Sequence, residues 1–403
     1  MIPYSFLTHL ECSKCGKRYE ADVIQQTCHH CHTPLLARYD LEAMKGVITK
    51  EEWEKRPQNF WRYHELLPLR DPSFKVSMNE PMSPIVTLPR TAETIGMKQL
   101  LAKDEGVLPS GSFKARGASI GISRAKELGV TKLGIPTNGN AGAAWALYSA
   151  RAGIEATVIM PKDAPLAPQK ECVVAGANVY LIDGTIGDAG NIIHQKAREE
   201  GLYDVSTLLE PYRLEGKKTM GFEIAEQFGW SVPDVIVYPT GGGAGVIGIY
   251  KALTELQALG FIGPKLPRIA IVQAVGCAPL VKAFEEGKED SIAWENPQTV
   301  AFGMRVPKAL GDYMILDVIR KTGGTAITVT DEEIKAQRMA VVEQDGFHVC
   351  PEGAAGIAGV KKLVASGWIQ QDETVLAMNT GSGLKYIDQI VGVPAFMPIP
   401  TFS

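Results

Sequence analysis

Short apolar runs alternate with longer helical patterns between residues 86 and 385. The apolar runs predict strands at 132–136, 156–160, 178–182, 235–238, 269–275 and 374–378. The intervening patterns predict helices at 142–152, 167–175, 186–200, 215–228 and 246–259. Because the runs are almost continuously apolar and do not alternate with polar residues, we expect strands that are buried on both faces. This is typical of parallel sheets covered by helices, so the fold class is α/β.

The remaining segments differ in composition from this alternating region. We therefore divide the chain into a cysteine-containing module (1–37), a connector that packs on the catalytic body (38–85), a large domain (86–125 and 215–385), a small α/β domain (126–214) and a tail draped over the surface (386–403). The connector contains two shorter helical stretches, at 41–45 and 50–56. A chain of 403 residues is long enough for two domains and an appendage.

Composition and charge exclude several classes of function. The formal net charge of −4 provides no basic field that would attract nucleic acid or an anionic membrane. No apolar stretch approaches the roughly 20 residues of a membrane helix. The first ten residues lack the basic leader and the long apolar core of a signal peptide. We therefore expect a cytoplasmic protein whose partner is a small molecule.

The first chemically informative segment is Pro109-Ser-Gly-Ser-Phe-Lys-Ala-Arg-Gly117. Lys114 opens a predicted helix that runs to Leu128, so its amine faces the positive end of the helix dipole. That location disfavours the ammonium form and lowers the pKa of the amine, as Schiff-base chemistry requires. The alternative is a solvated lysine in a flexible loop, which Phe113 and the flanking glycines disfavour.

Two more loops connect a predicted strand to a predicted helix. In Thr137-Asn-Gly-Asn-Ala-Gly142, the backbone N–H groups at the helix start would suit a substrate carboxylate, although a plain capped turn is an alternative. In Pro239-Thr-Gly-Gly-Gly-Ala-Gly245, four glycines allow backbone amides to converge on a phosphate. Tight packing of the strand against the helix is the alternative explanation for these glycines.

A nucleotide does not fit the glycine-rich loop. Gly243-x-Gly245-x-x-Gly248 matches a dinucleotide fingerprint, but the next predicted strand ends in Val275-Gly276 without an acid for the ribose. The Gly-Lys-Ser/Thr ending of a nucleoside-triphosphate loop is also missing. A fourth segment, Met378-Asn-Thr-Gly-Ser-Gly-Leu-Lys385, places the hydroxyl of Thr380 just after a predicted strand.

These four segments, in this order and at this spacing, resemble the fold-type II enzymes that use pyridoxal 5′-phosphate (PLP), the tryptophan-synthase-β-like family. The resemblance covers about residues 84–386. Within the group, the segments Glu210-Pro-Tyr-Arg-Leu-Glu-Gly-Lys-Lys-Thr219, Phe302-Gly-Met-Arg-Val-Pro307 and Gly323-Gly-Thr-Ala-Ile327 are most similar to threonine synthases. The resemblance implies a homodimeric lyase that converts O-phosphohomoserine and water to threonine and phosphate.

The resemblance also implies roles for individual residues. Lys114 would bind the cofactor covalently and move protons, Asn140 would contact the ring hydroxyl, and Thr380 would contact the ring nitrogen. The cofactor phosphate would be held by Gly241, Gly242, Gly243, Ala244 and Gly245. The predicted substrate-binding residues are Ser110, Ser112, Thr137, Asn138, Gly139, Ala141 and Arg213.

Three positions depart from common threonine synthase patterns: Ala115 replaces Asp, Ala141 replaces a residue with a hydroxyl, and Glu210 replaces Asn. A carboxylate at position 210 would repel a substrate phosphate unless Arg213 or Lys218 neutralised it. The alternative within the fold is β-elimination or β-replacement on serine, threonine or a phosphorylated serine. A catalytically silent regulator is a third possibility, which the presence of Lys114 disfavours.

Four of the seven cysteines form two Cys-x-x-Cys pairs separated by twelve residues: Cys12, Cys15, Cys28 and Cys31. This spacing predicts a zinc ribbon in which four thiolates hold a structural Zn²⁺. A redox dithiol, a ribbon without metal, and replacement of one thiolate by a nearby histidine remain alternatives. The other three cysteines are expected to be small buried side chains.

Overall fold

The computed structural model describes residues 2–390. Its strands are β1 (Leu7–Cys12), β2 (Arg18–Tyr19), β3 (Leu35–Tyr39), β4 (Ile85–Thr87), β5 (Leu100–Asp104), β6 (Lys132–Pro136), β7 (Glu155–Pro161), β8 (Asn178–Ile182), β9 (Tyr203–Asp204), β10 (Val235–Pro239), β11 (Arg268–Ala274), β12 (Thr325–Val329) and β13 (Val375–Asn379). Its α-helices are α1 (Leu41–Met44), α2 (Lys50–Lys55), α3 (Pro89–Ile95), α4 (Lys114–Glu127), α5 (Asn140–Ala152), α6 (Leu166–Val174), α7 (Ile186–Glu200), α8 (Arg213–Gln227), α9 (Ala244–Ala258), α10 (Pro279–Glu285), α11 (Asp312–Lys321), α12 (Asp331–Asp345) and α13 (Pro351–Ala365). The elements predicted in the alternating region end within two residues of these bounds.

The larger sheet has six strands in the order β12-β11-β10-β13-β5-β4. All neighbours are parallel except β4 and β5, which are antiparallel. Every residue of β10 and β13 is buried, because helices cover both faces of the sheet. The apolar runs therefore correctly predicted the centre of this sheet.

The smaller sheet has four parallel strands in the order β8-β7-β6-β9. Here burial on both faces is wrong for one predicted strand. β8 lies at the edge of the sheet, and its Tyr180 and Leu181 side chains are exposed. An edge strand has a neighbour on one side only, so an apolar run alone cannot establish that a strand is enclosed.

The N-terminal module is a three-stranded antiparallel sheet in the order β2-β1-β3. Polar side chains connect it to α11, which packs beside the larger sheet, and to β9 of the smaller sheet. Ser13 Oγ lies 2.5 Å from the hydroxyl of Tyr313, and Gln26 donates a 2.9 Å hydrogen bond to the carbonyl of Asp204. Within the described residues, none of the helices combines the length and apolar composition needed to cross a bilayer.

The segment predicted as a surface tail begins inside the protein. Tyr386 belongs to a 3₁₀ turn over Gly383–Gln389 and is only 2% exposed. The structure therefore differs from the prediction at this residue, because the tyrosine packs into the catalytic body. Residues 391–403 lie outside the described part of the chain. The proposed domain boundaries remain a prediction.

Candidate functional site

A cavity of about 280 Å³ lies where loops from both larger sheets meet. This is close to the lower limit of about 300 Å³ for typical small-ligand sites. Most of the predicted site residues line it: Lys114, residues 137–141, Arg213, residues 241–245 and Thr380. Positions more than 260 residues apart in sequence thus meet in one place, as the carboxyl ends of parallel strands lead there.

Lys114 is the first residue of α4, and its Nζ lies 4.4 Å from the centroid of the Phe113 ring. Burial and the nearby Arg213 guanidinium lower the pKa of Lys114 to about 8, whereas Glu352 raises it. The predicted direction is confirmed, but desolvation, and not the helix dipole alone, is the main cause. The amine therefore has a substantial neutral fraction near neutral pH.

Arg116 anchors the start of α4 in the protein interior. Its guanidinium contacts the carboxylates of Glu105 and Glu223 at 2.6 Å, and Lys103 also contacts Glu223 at 2.8 Å. All four side chains are fully buried. Burial alone would raise the pKa of Glu223, but Arg116 and Lys103 lower it to about 2. This network ties the Lys114 segment to β5 and α8, so it holds the amine in place.

The loop before α5 offers its backbone to a ligand. Helix α5 begins at Asn140, two residues earlier than predicted, and Gly139 before it has φ +141°, where glycine is favoured. The Thr137 hydroxyl accepts hydrogen bonds from the N–H groups of Gly139 (2.9 Å) and Gly142 (3.1 Å). Asn138 donates to the Arg305 carbonyl at 2.7 Å. The Thr137 side chain thus shapes the loop, and residues 137–141 line the cavity.

The glycines of the 241–245 loop are required by packing as well as by any ligand. A Cβ on Gly243 would lie 2.0 Å from Ile315 Cδ1, and one on Gly241 would lie 2.5 Å from the Gly303 carbonyl oxygen. Close packing therefore accounts for these glycines, and their contact with a phosphate stays a prediction. Helix α9 starts at Ala244 without a side-chain cap, so its first amides are available for an anion.

Two further cations lie beside this loop. Arg213, at the start of α8, is 3% exposed and stacks over Trp145 at 5.5 Å. Lys217, one turn later, is 2% exposed, and its amine donates a 2.5 Å hydrogen bond to the Phe113 carbonyl. Burial lowers the pKa of both groups, that of Arg213 to about 10. Within residues 2–390, neither forms a salt bridge with a carboxylate.

Glu210 does not carry a charge into the cavity. Its carboxylate accepts hydrogen bonds from the backbone N–H groups of Tyr212 (2.9 Å) and Arg213 (2.7 Å), and it is not among the cavity-lining residues. Burial raises its pKa to about 7, although those N–H groups lower it. Lys218 contacts Glu215 and Glu255 instead of Glu210. Repulsion between Glu210 and a substrate phosphate is therefore reduced, because backbone N–H groups cap the Glu210 carboxylate and Glu210 does not line the cavity.

The packing of α4 against α8 explains another part of the same segment. A Cβ on Gly216 would lie 2.1 Å from the carbonyl oxygen of Arg116 and 2.8 Å from Gly117 Cα. The two helices therefore touch backbone to backbone at this point. Only glycine allows Arg213 and Lys114 to begin helices that run this close together.

Lys217, Glu352 and Tyr386 are among the cavity residues that were missed from the sequence. The hydroxyl of Tyr386 accepts a 2.8 Å hydrogen bond from Asn140 Nδ2 and donates one of 3.3 Å to Glu352 Oε1. A charged residue in the first turn of a helix and a tyrosine near a terminus carry no local signal of function. Lys217 could have been noticed, as it stands in the segment that suggested Arg213.

Ser110 and Ser112 are predicted substrate ligands that do not line the cavity. Ser110 has φ +67°, and Ser112 pairs with Gly381 in an isolated β-bridge. The side-chain oxygens of both are buried, and neither has a hydrogen-bond partner among residues 2–390. Their direct contact with a substrate stays a prediction.

The four N-terminal cysteines form a compact cluster. Their sulfur atoms all lie within 4.8 Å of one another; Cys12 and Cys31 are 3.3 Å apart and Cys15 and Cys28 are 3.7 Å apart. Four thiolates around a zinc ion at about 2.3 Å would be about 3.8 Å apart. The cluster could therefore hold a metal ion. Four protein ligands would close the coordination shell, so that ion would be structural and would take no part in chemistry at Lys114.

Comparison with known proteins agrees with this geometry. The family model described as "Pyridoxal-phosphate dependent enzyme" matches residues 76–381. The threonine synthase of Methanocaldococcus jannaschii is 38% identical over 381 residues, which are 94% of this chain and 93% of that protein. The threonine synthase of Methanosarcina acetivorans is 39% identical over 387 residues, 96% and 94% of the two chains.

Among solved structures, maize serine racemase has a similar fold, with a TM-score of 0.65 and 22% sequence identity. The similarity covers 76% of this chain and 91% of that one. At this identity, the likeness concerns the fold alone. The family match and the curated relatives establish that the chain belongs to the family of pyridoxal-phosphate dependent enzymes, with the fold-type II architecture, and that it is a PLP-dependent lyase.

Proposed function

We propose that this enzyme is a threonine synthase, which converts O-phosphohomoserine and water to threonine and phosphate. The cavity residues fit the cofactor. Lys114 provides an amine of lowered pKa, the uncapped start of α9 provides amides for a phosphate, and Asn140 Oδ1 is a buried acceptor without a partner among residues 2–390. When bound there, PLP supplies an electron-withdrawing ring that stabilises negative charge on the substrate's α-carbon.

The observation that carries the choice of substrate is the charge of the cavity. Arg213 and Lys217 are buried basic side chains that form no salt bridge with a carboxylate in the described part of the chain, and burial lowers the pKa of both because an unpaired buried cation is unfavourable. Of the residues that line the cavity, Glu352 is the one carboxylate. A ligand with several negative charges would restore the balance, and an amino acid with a phosphate group, bound together with a phosphorylated cofactor, provides them.

Each group of the chain then has a defined task. Lys114 binds the cofactor and takes and returns protons at the substrate carbons, as its pKa of about 8 leaves part of the amine neutral near pH 7. The backbone N–H groups of Asn138, Asn140 and Ala141 bind the substrate carboxylate, because those of Thr137 and Gly139 already donate within the protein. Residues 241–245 bind the cofactor phosphate, and Thr380 contacts the ring nitrogen with a neutral hydroxyl.

Arg213 and Lys217 bind the substrate phosphate and stabilise it as it leaves. Both cations lie near Lys114, since the Lys114 and Lys217 amines are each 4.4 Å from the centroid of the Phe113 ring. The phosphate is therefore bound close to the group that moves protons. The phosphate leaves the γ-carbon of the substrate, and a water molecule supplies the hydroxyl of the product at the β-carbon.

The test is to incubate the purified holoenzyme with O-phosphohomoserine and measure released phosphate and threonine. Equal amounts of both products are expected. Matched reactions with O-phosphoserine, serine and threonine test the alternative of β-elimination or β-replacement, which is favoured by the methyl side chain of Ala141 at the cavity wall. Ketoacid or substituted product from these substrates, without threonine from O-phosphohomoserine, would contradict the proposal.

The same proposal includes a structural Zn²⁺ on Cys12, Cys15, Cys28 and Cys31. Their mutual distances, and the fact that none of them lines the cavity, support a structural ion over a redox pair. A homodimer and a cytoplasmic location complete the proposal. Light scattering of the purified enzyme tests the first and cell fractionation the second.

A further inference from the structure

The segment that connects the two cysteine pairs of the N-terminal module, residues 20–26, contacts the part of the chain that leads to Arg213. The backbone carbonyl of Ala21 accepts a 2.7 Å hydrogen bond from the Tyr212 hydroxyl. Gln26 Nε2 donates a 2.9 Å hydrogen bond to the carbonyl of Asp204. The module therefore holds the 204–212 segment at both of its ends.

These two contacts lie on either side of the Arg213 side chain. Tyr212 directly precedes Arg213, which is the first residue of α8. The Arg213 guanidinium donates to the carbonyl of Val205, the residue after Asp204. The backbone of Arg213 and the acceptor of its guanidinium are therefore each next to a residue that the N-terminal module holds.

The contact at Ala21 is enclosed, and an arginine reinforces it. Arg124 Nη2 donates a 2.8 Å hydrogen bond to the same carbonyl and a 2.7 Å hydrogen bond to Asp22 Oδ1. The Arg124 guanidinium also stacks over the Tyr212 ring at 5.5 Å. Ala21, Arg124 and Tyr212 are each at most 2% exposed, so water does not compete for these bonds. The position of the tyrosine is therefore tied to the module.

We propose that the N-terminal module positions the Arg213 guanidinium for the substrate phosphate, with Gln26 and Tyr212 as the positioning residues. This rests on the contact between Arg213 and that phosphate given under the proposed function. A guanidinium binds phosphate through paired hydrogen bonds in one plane, so its affinity depends on its orientation. The module thus contributes to substrate binding, although none of residues 20–26 lines the cavity.

Contacts from the catalytic body hold Arg213 as well. Glu210 accepts a 2.7 Å hydrogen bond from the Arg213 backbone N–H, and the guanidinium stacks over Trp145 at 5.5 Å. These contacts remain in the module variants described below. They keep the arginine in the cavity, so loss of the module's contacts should weaken phosphate binding without abolishing it.

The experiment measures the binding of inorganic phosphate to the holoenzyme by isothermal titration calorimetry. Bound PLP fills its own phosphate site, so added phosphate reports on the site at Arg213. We expect Gln26→Ala and Tyr212→Phe each to raise the dissociation constant about fivefold, the effect of one lost hydrogen bond. Gln26 is only partly buried, so Gln26→Ala decides the question should Tyr212→Phe fail to fold.

Steady-state kinetics with O-phosphohomoserine provide a second readout. Both variants should raise KM more than they lower kcat, because the contact with phosphate is present from substrate binding onward. General damage to the catalytic body would instead lower kcat and the content of bound PLP. A fall in kcat at unchanged KM would contradict the positioning role.

Ser13→Ala is the matched control within the module. It removes the 2.5 Å contact between Ser13 Oγ and the Tyr313 hydroxyl, which attaches the module at α11 and not at the 204–212 segment. Its affinity for phosphate should equal that of the wild type. Wild-type affinity in both Gln26→Ala and Tyr212→Phe, or an equal loss in Ser13→Ala, would overturn the proposal.

Arg213→Met distinguishes this proposal from the proposed function. In that background, Gln26→Ala should cause no further loss of phosphate affinity. If Arg213→Met binds phosphate as tightly as the wild type does, Arg213 is not the phosphate ligand and the substrate assignment fails. If Arg213→Met loses phosphate binding while Gln26→Ala and Tyr212→Phe retain it, the substrate assignment stands and the role of the module fails.

Discussion

Arg116 Nη1 lies 2.6 Å from Glu223 Oε1, and neither side chain has any exposed surface. Arg116→Leu would leave Glu105 and Glu223 as buried carboxylates with only Lys103 to balance them. We expect the free energy of unfolding to fall by about 3–5 kcal/mol, as when one partner of a buried pair is removed. Urea denaturation followed by circular dichroism measures it.

The matched control is Lys162→Met. Lys162 pairs with Asp183 at 2.7 Å, but both side chains are mostly exposed. Such pairs contribute about 0–1 kcal/mol, so this variant should unfold almost as the wild type does. Equal losses in the two variants would show that burial of the Arg116 network adds nothing to its contribution.

Covalent attachment of PLP should occur at Lys114 and not at Lys217, although both amines line the cavity. The Lys217 amine is hydrogen-bonded to the Phe113 carbonyl, whereas the Lys114 amine has no hydrogen-bond acceptor within residues 2–390. Borohydride reduction and peptide mass mapping locate the bond. Lys114→Ala should lose the modification and the visible absorbance, and Lys217→Met should retain both. A modified Lys217 peptide in the wild-type enzyme would contradict the assignment.

The buried carboxyl of Glu210 should make stability depend on pH. Its pKa is raised from 4.5 to about 7 in the folded protein, so the folded state binds the proton more tightly than the unfolded state does. The resulting stability is fully present below pH 4.5 and is lost as the pH rises through 7. The loss should be on the order of 3 kcal/mol.

Glu210→Gln cannot ionise at this position, so the difference in unfolding free energy between variant and wild type isolates the effect. It should shift in favour of the variant between pH 5 and pH 8.5. Thermal or urea unfolding at the two pH values measures the shift. A difference that is the same at both pH values would mean that Glu210 ionises normally.

The cysteine cluster should bind one zinc ion per chain. Cys28→Ser removes one of four ligands and should reduce the bound zinc several-fold and lower the melting temperature, because metal binding and folding of such modules are coupled. Elemental analysis and calorimetry provide the two measurements. Cys277→Ser, at a buried cysteine outside the cluster, is the control and should keep its zinc. A full zinc content in Cys28→Ser would rule out the four-thiolate shell.

The sequence located best the cavity loops whose shape depends on glycine. Gly243 has φ +71°, and its neighbour Ile315 leaves no room for a side chain. The position therefore requires glycine, and a glycine can be read directly from the sequence. Lys114 was equally visible, because a lysine that follows Phe113 at a predicted helix start, between Gly111 and Gly117, is unusual. Strand positions followed from the apolar runs for the same local reason.

Glu352 and Tyr386 could not be predicted, because their place in the cavity arises only from tertiary packing. Glu352 follows a proline in the first turn of α13, where acidic residues are common in any helix. Tyr386 lies in a short 3₁₀ turn near the end of the described chain. Neither has a local pattern that distinguishes it, and only the folded chain places them beside Asn140.

The backbone contact at Gly216 has a consequence for how this enzyme could acquire a new specificity. Helices α4 and α8 cannot slide along each other where they touch, so the spacing between the cofactor lysine and Arg213 is mechanically fixed. Substitutions at this contact therefore cannot change that spacing in small steps. Adaptation to a shorter or longer substrate would have to proceed through the loop at 137–141, which follows a strand of the smaller sheet and lies outside that contact.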